Sequence, residues 1–326
     1  MLRLTLVAAT VVLAQAGSAA PERLSVLSYN IMDSGFADQS GIYDPVGDRV
    51  PGNLTNFLQP QSQFIDVLGL VETSAWSEEG SQNHPSIKEI AQGFGFENYH
   101  LGSNLCLMAH EPIEVLEESG NPIIAQVGGV VYILAAMSAN SYPTKKDDFL
   151  VLAEKVAEYQ HTPTLVMGDL NAISPLDRAR YNSSLLCGNG TYNPDDQTGE
   201  YVANFCLEGE DGSYDLDFTP METLMNNTDL VDLCFYSGGF WDIDTDMTQE
   251  SSMCAFSNPT LLIHMTGSYG SPGGSHGHSH AQAKIDYVLA NVAMLEHMRF
   301  RHSTVVRGFQ ADGASDHYPL EATFLR

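Results

Sequence analysis

The stretch Thr164-Leu165-Val166-Met167-Gly168-Asp169-Leu170-Asn171 decides the fold. Its apolar run stops at Gly168-Asp169, as a strand buried on both faces does when it emerges at a polar end. The same pattern recurs along the chain. Arg23 to Asn30 alternates apolar and polar residues and ends on Asn30, and the apolar run Val67 to Val71 ends on Glu72. Asp286 lies inside Lys284 to Leu289, and Asp316 and His317 precede the strand-like run Leu320 to Leu325. Further strand-like runs lie around Leu105 and Val115, at Val130 to Ala136 and at Arg301 to Val306. Ser86 to Glu89 has capping-box spacing ahead of an amphipathic turn toward Phe94. Phe149, Leu150, Leu152, Val156 and Tyr159 recur at helical spacing behind Asp147. Many short strands with few helices predict two packed sheets flanked by helices, not a simple doubly wound sheet.

Of 326 residues, 43% are hydrophobic, which supplies a sizeable core and excludes a largely disordered chain. The balance of 41 acidic to 14 basic residues, a formal charge of −27, excludes stable non-specific binding to nucleic acid or anionic lipid. An anionic substrate then requires metal cations or a local positive site. Arg3, the apolar run Leu4 to Leu13 and the small residues up to Ala20 predict a secretory signal peptide over residues 1–20, cleaved near 16–20. No later apolar run reaches the ~18 residues of a membrane-spanning helix, so no transmembrane segment is expected. Sequons at Asn53, Asn182, Asn189 and Asn226 point to an exported glycoprotein. An oxidising destination favours disulfides, expected as Cys187–Cys206 and Cys234–Cys254 with Cys106 left as the free thiol. Residues 21–326 read as one domain, with long loop insertions at about 181–280. His276, His278 and His280 alternate in that span, and without a carboxylate or cysteine to complete a ligand set they read as a surface loop.

A polar residue at one strand end is more often a turn residue than a ligand. Four such ends in one chain, with a carboxylate inside a fifth run, are more informative, because layered α/β enzymes gather distant residues at one rim in this way. Carboxylate and carbonyl oxygens with an imidazole suit a hard cation such as Mg²⁺. One His beside several carboxylates is the inventory of metal-assisted phosphoryl chemistry. Asp286 within an apolar run needs a buried partner, and His317 is the natural one.

The ordered set LSYN, GLVE, GDLN, IDYVL and SDHYPL, from residue 27 to 320, resembles the endonuclease/exonuclease/phosphatase superfamily (deoxyribonuclease-like). The resemblance implies an α/β fold, a four-layer α/β/β/α sandwich of two packed mixed sheets with the active site at one rim. It implies Glu72 as main metal ligand, with Asn30 organising that site and Asp316 supporting the metal or the histidine. Asp169 would orient or deprotonate the attacking water, and Asn171 would hydrogen-bond the phosphate. His317 would act on the phosphate as acid/base, with Asp286 fixing its tautomer. Many members carry a His or Tyr at the end of the strand before GDLN; here Met137 or Ser138 fills the place, with Asn140 close by as a phosphate-binding residue. Arg178 and Arg180, in the loop after GDLN, are further candidates to reach phosphate.

The function implied is a secreted Mg²⁺-dependent phosphoesterase, with Mn²⁺ or Ca²⁺ as substitutes, more a phosphodiesterase than a monoesterase. Its partner would be a phosphoester: nucleic acid, phospholipid or small phosphodiester. A monomer is expected. The alternative is a catalytically degenerate secreted binding protein that keeps the fold.

Overall fold

A computed structural model describes residues 23–31, 55–74, 76–80, 85–138, 144–180, 205–211, 213–237, 284–306, 317 and 319–326. The expected signal peptide, the sequons other than Asn226, the three alternating histidines, Asn140 and Asp316 all lie outside the described residues.

Fourteen strands are described. In chain order they are β1 (Arg23–Asn30), β2 (Val67–Val71), β3 (Asn98–Leu101), β4 (Leu105–Ala109), β5 (Glu114–Glu117), β6 (Ile123–Val127) and β7 (Val130–Ala136). After these come β8 (Thr164–Asp169), β9 (Cys206–Glu208), β10 (Tyr214–Leu216), β11 (Val231–Asp232), β12 (Asp286–Ala290), β13 (Arg299–Val305) and β14 (Leu320–Leu325). The helices are α1 (Thr55–Ser62), α2 (Ile87–Phe94), α3 (Thr144–Glu158), α4 (Thr219–Asn227), α5 (Leu233–Ser237) and α6 (Val292–His297), with a 3-10 helix at Pro175–Arg180. Two six-stranded mixed sheets run in the orders β13-β14-β1-β2-β4-β3 and β11-β12-β8-β7-β6-β5, and β9 and β10 form a separate hairpin.

Side-chain alternation sorts the layers. Along β7, Tyr132 and Leu134 join the core between the sheets, while Val131, Ile133 and Ala135 pack with Phe149, Leu152 and Val156 of α3 and Met221 and Leu224 of α4. Strands β8 and β12 follow the same rule, with Met167 and Val288 inward and Val166 and Leu289 outward. Each strand is covered on both faces, which is why its sequence reads as an unbroken apolar run. On the other sheet, Phe57 and Leu58 of α1 and Ile87, Ile90 and Phe94 of α2 form the fourth layer. At Gly69 the sheets approach so closely that a Cβ would meet the Met167 Cε at 2.5 Å. The result is the expected α/β/β/α sandwich.

Helix α2 begins as the sequence specifies. Ser86 Oγ accepts from the Glu89 backbone N–H and Glu89 accepts from the Ser86 N–H, while Gly95 closes the helix at φ 92°. Helix α3 starts at Thr144, three residues before the expected Asp147, and this places Lys145 in its first turn. The span 181–280, expected as long loops, supplies β9, β10, α4, β11 and α5 where it is described. Helix α4 escaped the periodicity because it buries only Pro220, Met221, Thr223 and Leu224, and relies on α3 for its apolar partner. Cys106 is a free, buried thiol. Cys206 and Cys234 are disulfide-bonded, and the partners expected for them lie outside the described residues.

Candidate active site

Two parallel pairs set the rim. Strand β1 pairs in parallel with β2, and β7 with β8, so Asn30, Glu72, Ala136 and Asp169 all emerge at carboxyl ends of parallel strands. Strand β12 runs antiparallel to β8 and begins there, with Asp286 opposite Asp169. His317 precedes β14, which is antiparallel to β1, and so reaches the same rim.

The turns after these strands are strained where the site needs sharp exits. Glu72 has φ 65° and Asn171 φ 48°, both in the left-handed region that costs a non-glycine residue about 1–3 kcal/mol. The Glu72 and Thr73 amides both donate to the Asn104 carbonyl, at 2.9 and 3.3 Å, which fixes the bend. Gly168 has φ 132°, and a Cβ there would lie 2.0 Å from the Ala135 carbonyl oxygen. Gly168→Ala should therefore cost about 3 kcal/mol or more, from strain and overpacking together. Urea denaturation measures this, and wild-type stability in the variant would contradict the close approach.

A hydrogen-bonded network joins the strand ends. Asn30 Nδ2 donates to Glu72 Oε1 at 2.9 Å and to Asp169 Oδ2 at 3.1 Å. The Asn171 backbone N–H donates to Asp169 Oδ1 at 2.8 Å, and its Nδ2 donates to Asp169 Oδ2 at 3.2 Å and to the Met137 carbonyl at 3.0 Å. His317 Nδ1 lies 2.7 Å from Asp286 Oδ2, both side chains being buried. Donor atoms of Asp169, Asp286 and His317 all fall within 4.8 Å of one another. Burial pushes the Asp169 carboxyl up to about 7, helped by the charges of Asp286 and Glu72 and opposed by His317 and the Asn171 amide.

The structure thus brings together Asn30, Glu72, Asp169, Asn171, Asp286 and His317. Arg178 lies over the Phe218 ring at 4.2 Å and meets Glu222 at 3.5 Å, engaged with α4. Arg180 closes the 3-10 helix, with its side chain outside the described set. Met137 contributes its main chain: its N–H donates to the Asp169 carbonyl at 2.9 Å and its carbonyl holds Asn171.

Sequence reasoning missed two buried lysines. Lys145 Nζ donates to the Asn171 carbonyl at 2.6 Å. Lys284 Nζ sits 2.5 Å from Asp177 and 2.6 Å from Asp232, all three side chains fully buried. The available signal was a pair of lysines at the amino end of a helix, where the helix dipole disfavours them, and a lysine opening an apolar strand.

Comparison with solved structures defines the class of fold. An AP endonuclease from Archaeoglobus fulgidus superposes with a TM-score of 0.53 at 15% identity, over 92% of this chain and 99% of that one. ANGEL2, a 2',3'-cyclic phosphatase solved with adenosine-2',3'-vanadate, gives 0.53 at 15% identity over 94% and 96%. An endonuclease/exonuclease/phosphatase family protein from Bacteroides thetaiotaomicron gives 0.50 at 11% identity over 94% and 99%. The chain has the endonuclease/exonuclease/phosphatase fold. No protein-family model matches the sequence, and no curated protein matches it.

Proposed function

We propose that the chain is an exported, divalent-metal-dependent phosphoesterase of the endonuclease/exonuclease/phosphatase superfamily, acting as a phosphodiesterase. The observation that carries the reading is the convergence of Asp169, Asp286 and His317 within 4.8 Å at one rim of the sandwich. Two of the solved structures named above are an AP endonuclease and a cyclic phosphatase, which supports the same chemistry here.

Asp169, with its affinity for protons raised to about 7, suits the base that takes a proton from the attacking water. Asn30 and Asn171 hold that carboxylate in place. In its protonated form His317 donates Nδ1–H to Asp286 and carries a second proton on Nε2, which it gives to the departing oxygen as the P–O bond breaks, ending as the neutral imidazole. Glu72, Asp169 and Asp286 crowd three carboxylates together, and their mutual repulsion suits a divalent cation. Asp169 and Asp286 are committed to Asn171 and His317, so Glu72, with Asn30 and with Asp316 from outside the described residues, would hold the ion. Bound Mg²⁺, or Mn²⁺ or Ca²⁺ in its stead, supplies Lewis-acid stabilisation of phosphate charge that a chain of this acidity otherwise lacks.

A second reading, a degenerate binding protein, draws on Met137, whose thioether offers no proton at a strand end where a His or Tyr would. One experiment separates the two. Purified mature protein is given bis(p-nitrophenyl) phosphate with Mg²⁺ or chelator, beside His317→Ala. The enzyme reading expects turnover with Mg²⁺, none with chelator, and a loss of about 10²–10⁴-fold in the variant. A folded protein inert toward this probe and toward DNA, RNA and sphingomyelin would favour the binder.

Export rests on the signal-like segment and the sequons. Asn226 is exposed at the last turn of α4 and is the proposed glycosylation site among the described residues. We also assign Cys187 and Cys254 as the partners of Cys206 and Cys234.

A further inference from the structure

We propose that Lys145 is a positioning residue of the active site: its buried ammonium pins the Asn171 carbonyl and thereby fixes Asp169 for proton transfer. The proposal rests on the hydrolase reading above and assigns that site a part outside its strand-end residues.

The location of Lys145 is unfavourable on every local ground. It occupies the first turn of α3, where the positive end of the helix dipole repels a cation. The side chain is fully buried, in a protein whose other fully buried lysine among the described residues, Lys284, is enclosed by two carboxylates. Burying a lysine is expensive unless something specific meets its charge, and a methionine would fill the same stem more cheaply. A residue that breaks local rules in this way marks a functional demand.

The demand is visible in its contacts. Lys145 Nζ donates to the Asn171 carbonyl at 2.6 Å and lies 5.2 Å from the centre of the Phe205 ring. Asn171 is the residue at φ 48° whose backbone N–H and side-chain amide both grip Asp169. Its peptide must stay in that left-handed setting for the grip to hold, and a charge-assisted bond to the carbonyl is what keeps it there. The charges of Asp217 and Asp169 stabilise the ammonium, while burial brings its affinity for protons down to about 8. Asp217 itself accepts from the Thr219 N–H at the head of α4. Because Lys145 is buried and reaches a main-chain carbonyl, its effect on the reaction passes through Asn171 and Asp169.

The test compares Lys145→Met, Lys145→Arg and wild type, with full-length mature protein. Three readouts are taken: kcat and KM on bis(p-nitrophenyl) phosphate with Mg²⁺, thermal unfolding, and amide hydrogen exchange in a peptide spanning residues 168–174. The expected result for Lys145→Met is a folded protein with kcat lower by about 10- to 100-fold and KM within about twofold, since misplacement of a reacting group costs on that scale. Exchange at 168–174 should speed up while peptides of α2 stay as they were. Lys145→Arg, which keeps a cation, should recover much of both. Wild-type kcat in the Met variant, or unchanged exchange at 168–174, overturns the proposal. If the Met variant does not fold, Lys145→Gln replaces it, and a Gln variant with wild-type kcat and exchange overturns it equally. If wild type shows no turnover of this probe, DNA, RNA or sphingomyelin, the hydrolase reading fails. The positioning role then stands or falls on the exchange measurement alone.

Discussion

Replacing Asp169 with Asn should abolish turnover and remove a pH-dependent loss of stability from the metal-free protein. In the folded chain the Asp169 carboxyl titrates at about 7, chiefly because it is buried. In the unfolded chain it titrates near ~3.9. Below that pH both states hold the proton and the group contributes nothing to pH dependence. As pH rises from about 4 to about 7 the unfolded state releases the proton while the folded state keeps it, so stability falls. Above about 7 both are ionised and the loss is complete. An Asn never ionises and escapes the loss. Some hydrogen bonds from Asn30 and Asn171 will be disturbed in the variant at every pH, so the readout is a difference of differences. In chelator-treated protein, the unfolding temperature of Asp169→Asn relative to wild type should improve between pH 4 and pH 8. A constant offset would deny the titration. Turnover within tenfold of wild type would remove Asp169 from proton transfer, since a general base is worth about 10²–10⁴-fold.

Lys284→Met should destabilise the protein by about 3–5 kcal/mol, because it leaves Asp177 and Asp232 buried without their cation. Lys284 links three segments: the 3-10 helix through Asp177, the end of β11 through Asp232, and β12, which begins two residues later at Asp286. Asp232 also accepts from the Phe235 N–H at 3.1 Å, and the Tyr287 hydroxyl donates to the carbonyls of Ala172 and Lys284. The triad holds one positive charge against two negative ones, so removing the positive member is worse than removing all three. The triple variant Lys284→Met, Asp177→Asn, Asp232→Asn should regain much of the loss. Chemical denaturation of both variants decides: a single variant as stable as wild type would show that the carboxylates find other partners.

The strand ends were legible because burial on both faces leaves an unmistakable apolar run, and a carboxylate at its end stands out. The Ser86 capping box was legible because both of its hydrogen bonds are local to four residues. Helix α1 was not, since Pro60 lies inside it and its residues show little amphipathic order. The role of Lys145 was not legible, because its partner, the Asn171 carbonyl, is 26 residues away and belongs to the backbone. Met137 illustrates the same limit. Its side chain suggested a missing proton donor, whereas its main-chain N–H and carbonyl, which any residue would offer, brace Asp169 and Asn171. Side-chain chemistry is written in the sequence; main-chain chemistry is written only in the fold.

The order β13-β14-β1-β2 in the first sheet places the last described strand beside the first, with Leu325 opposite Arg23 and Leu320 opposite Ser28. A ribosome makes β1 long before β14. Until residues 320–325 have been synthesised, one edge of β1 has no neighbour to take its backbone hydrogen bonds, and His317 cannot reach Asp286. Such an open edge invites pairing with other chains. Nascent protein therefore depends longest on protection along β1. Losing residues 320–325 alone would cost both the closure of the first sheet and the imidazole's seat at the rim.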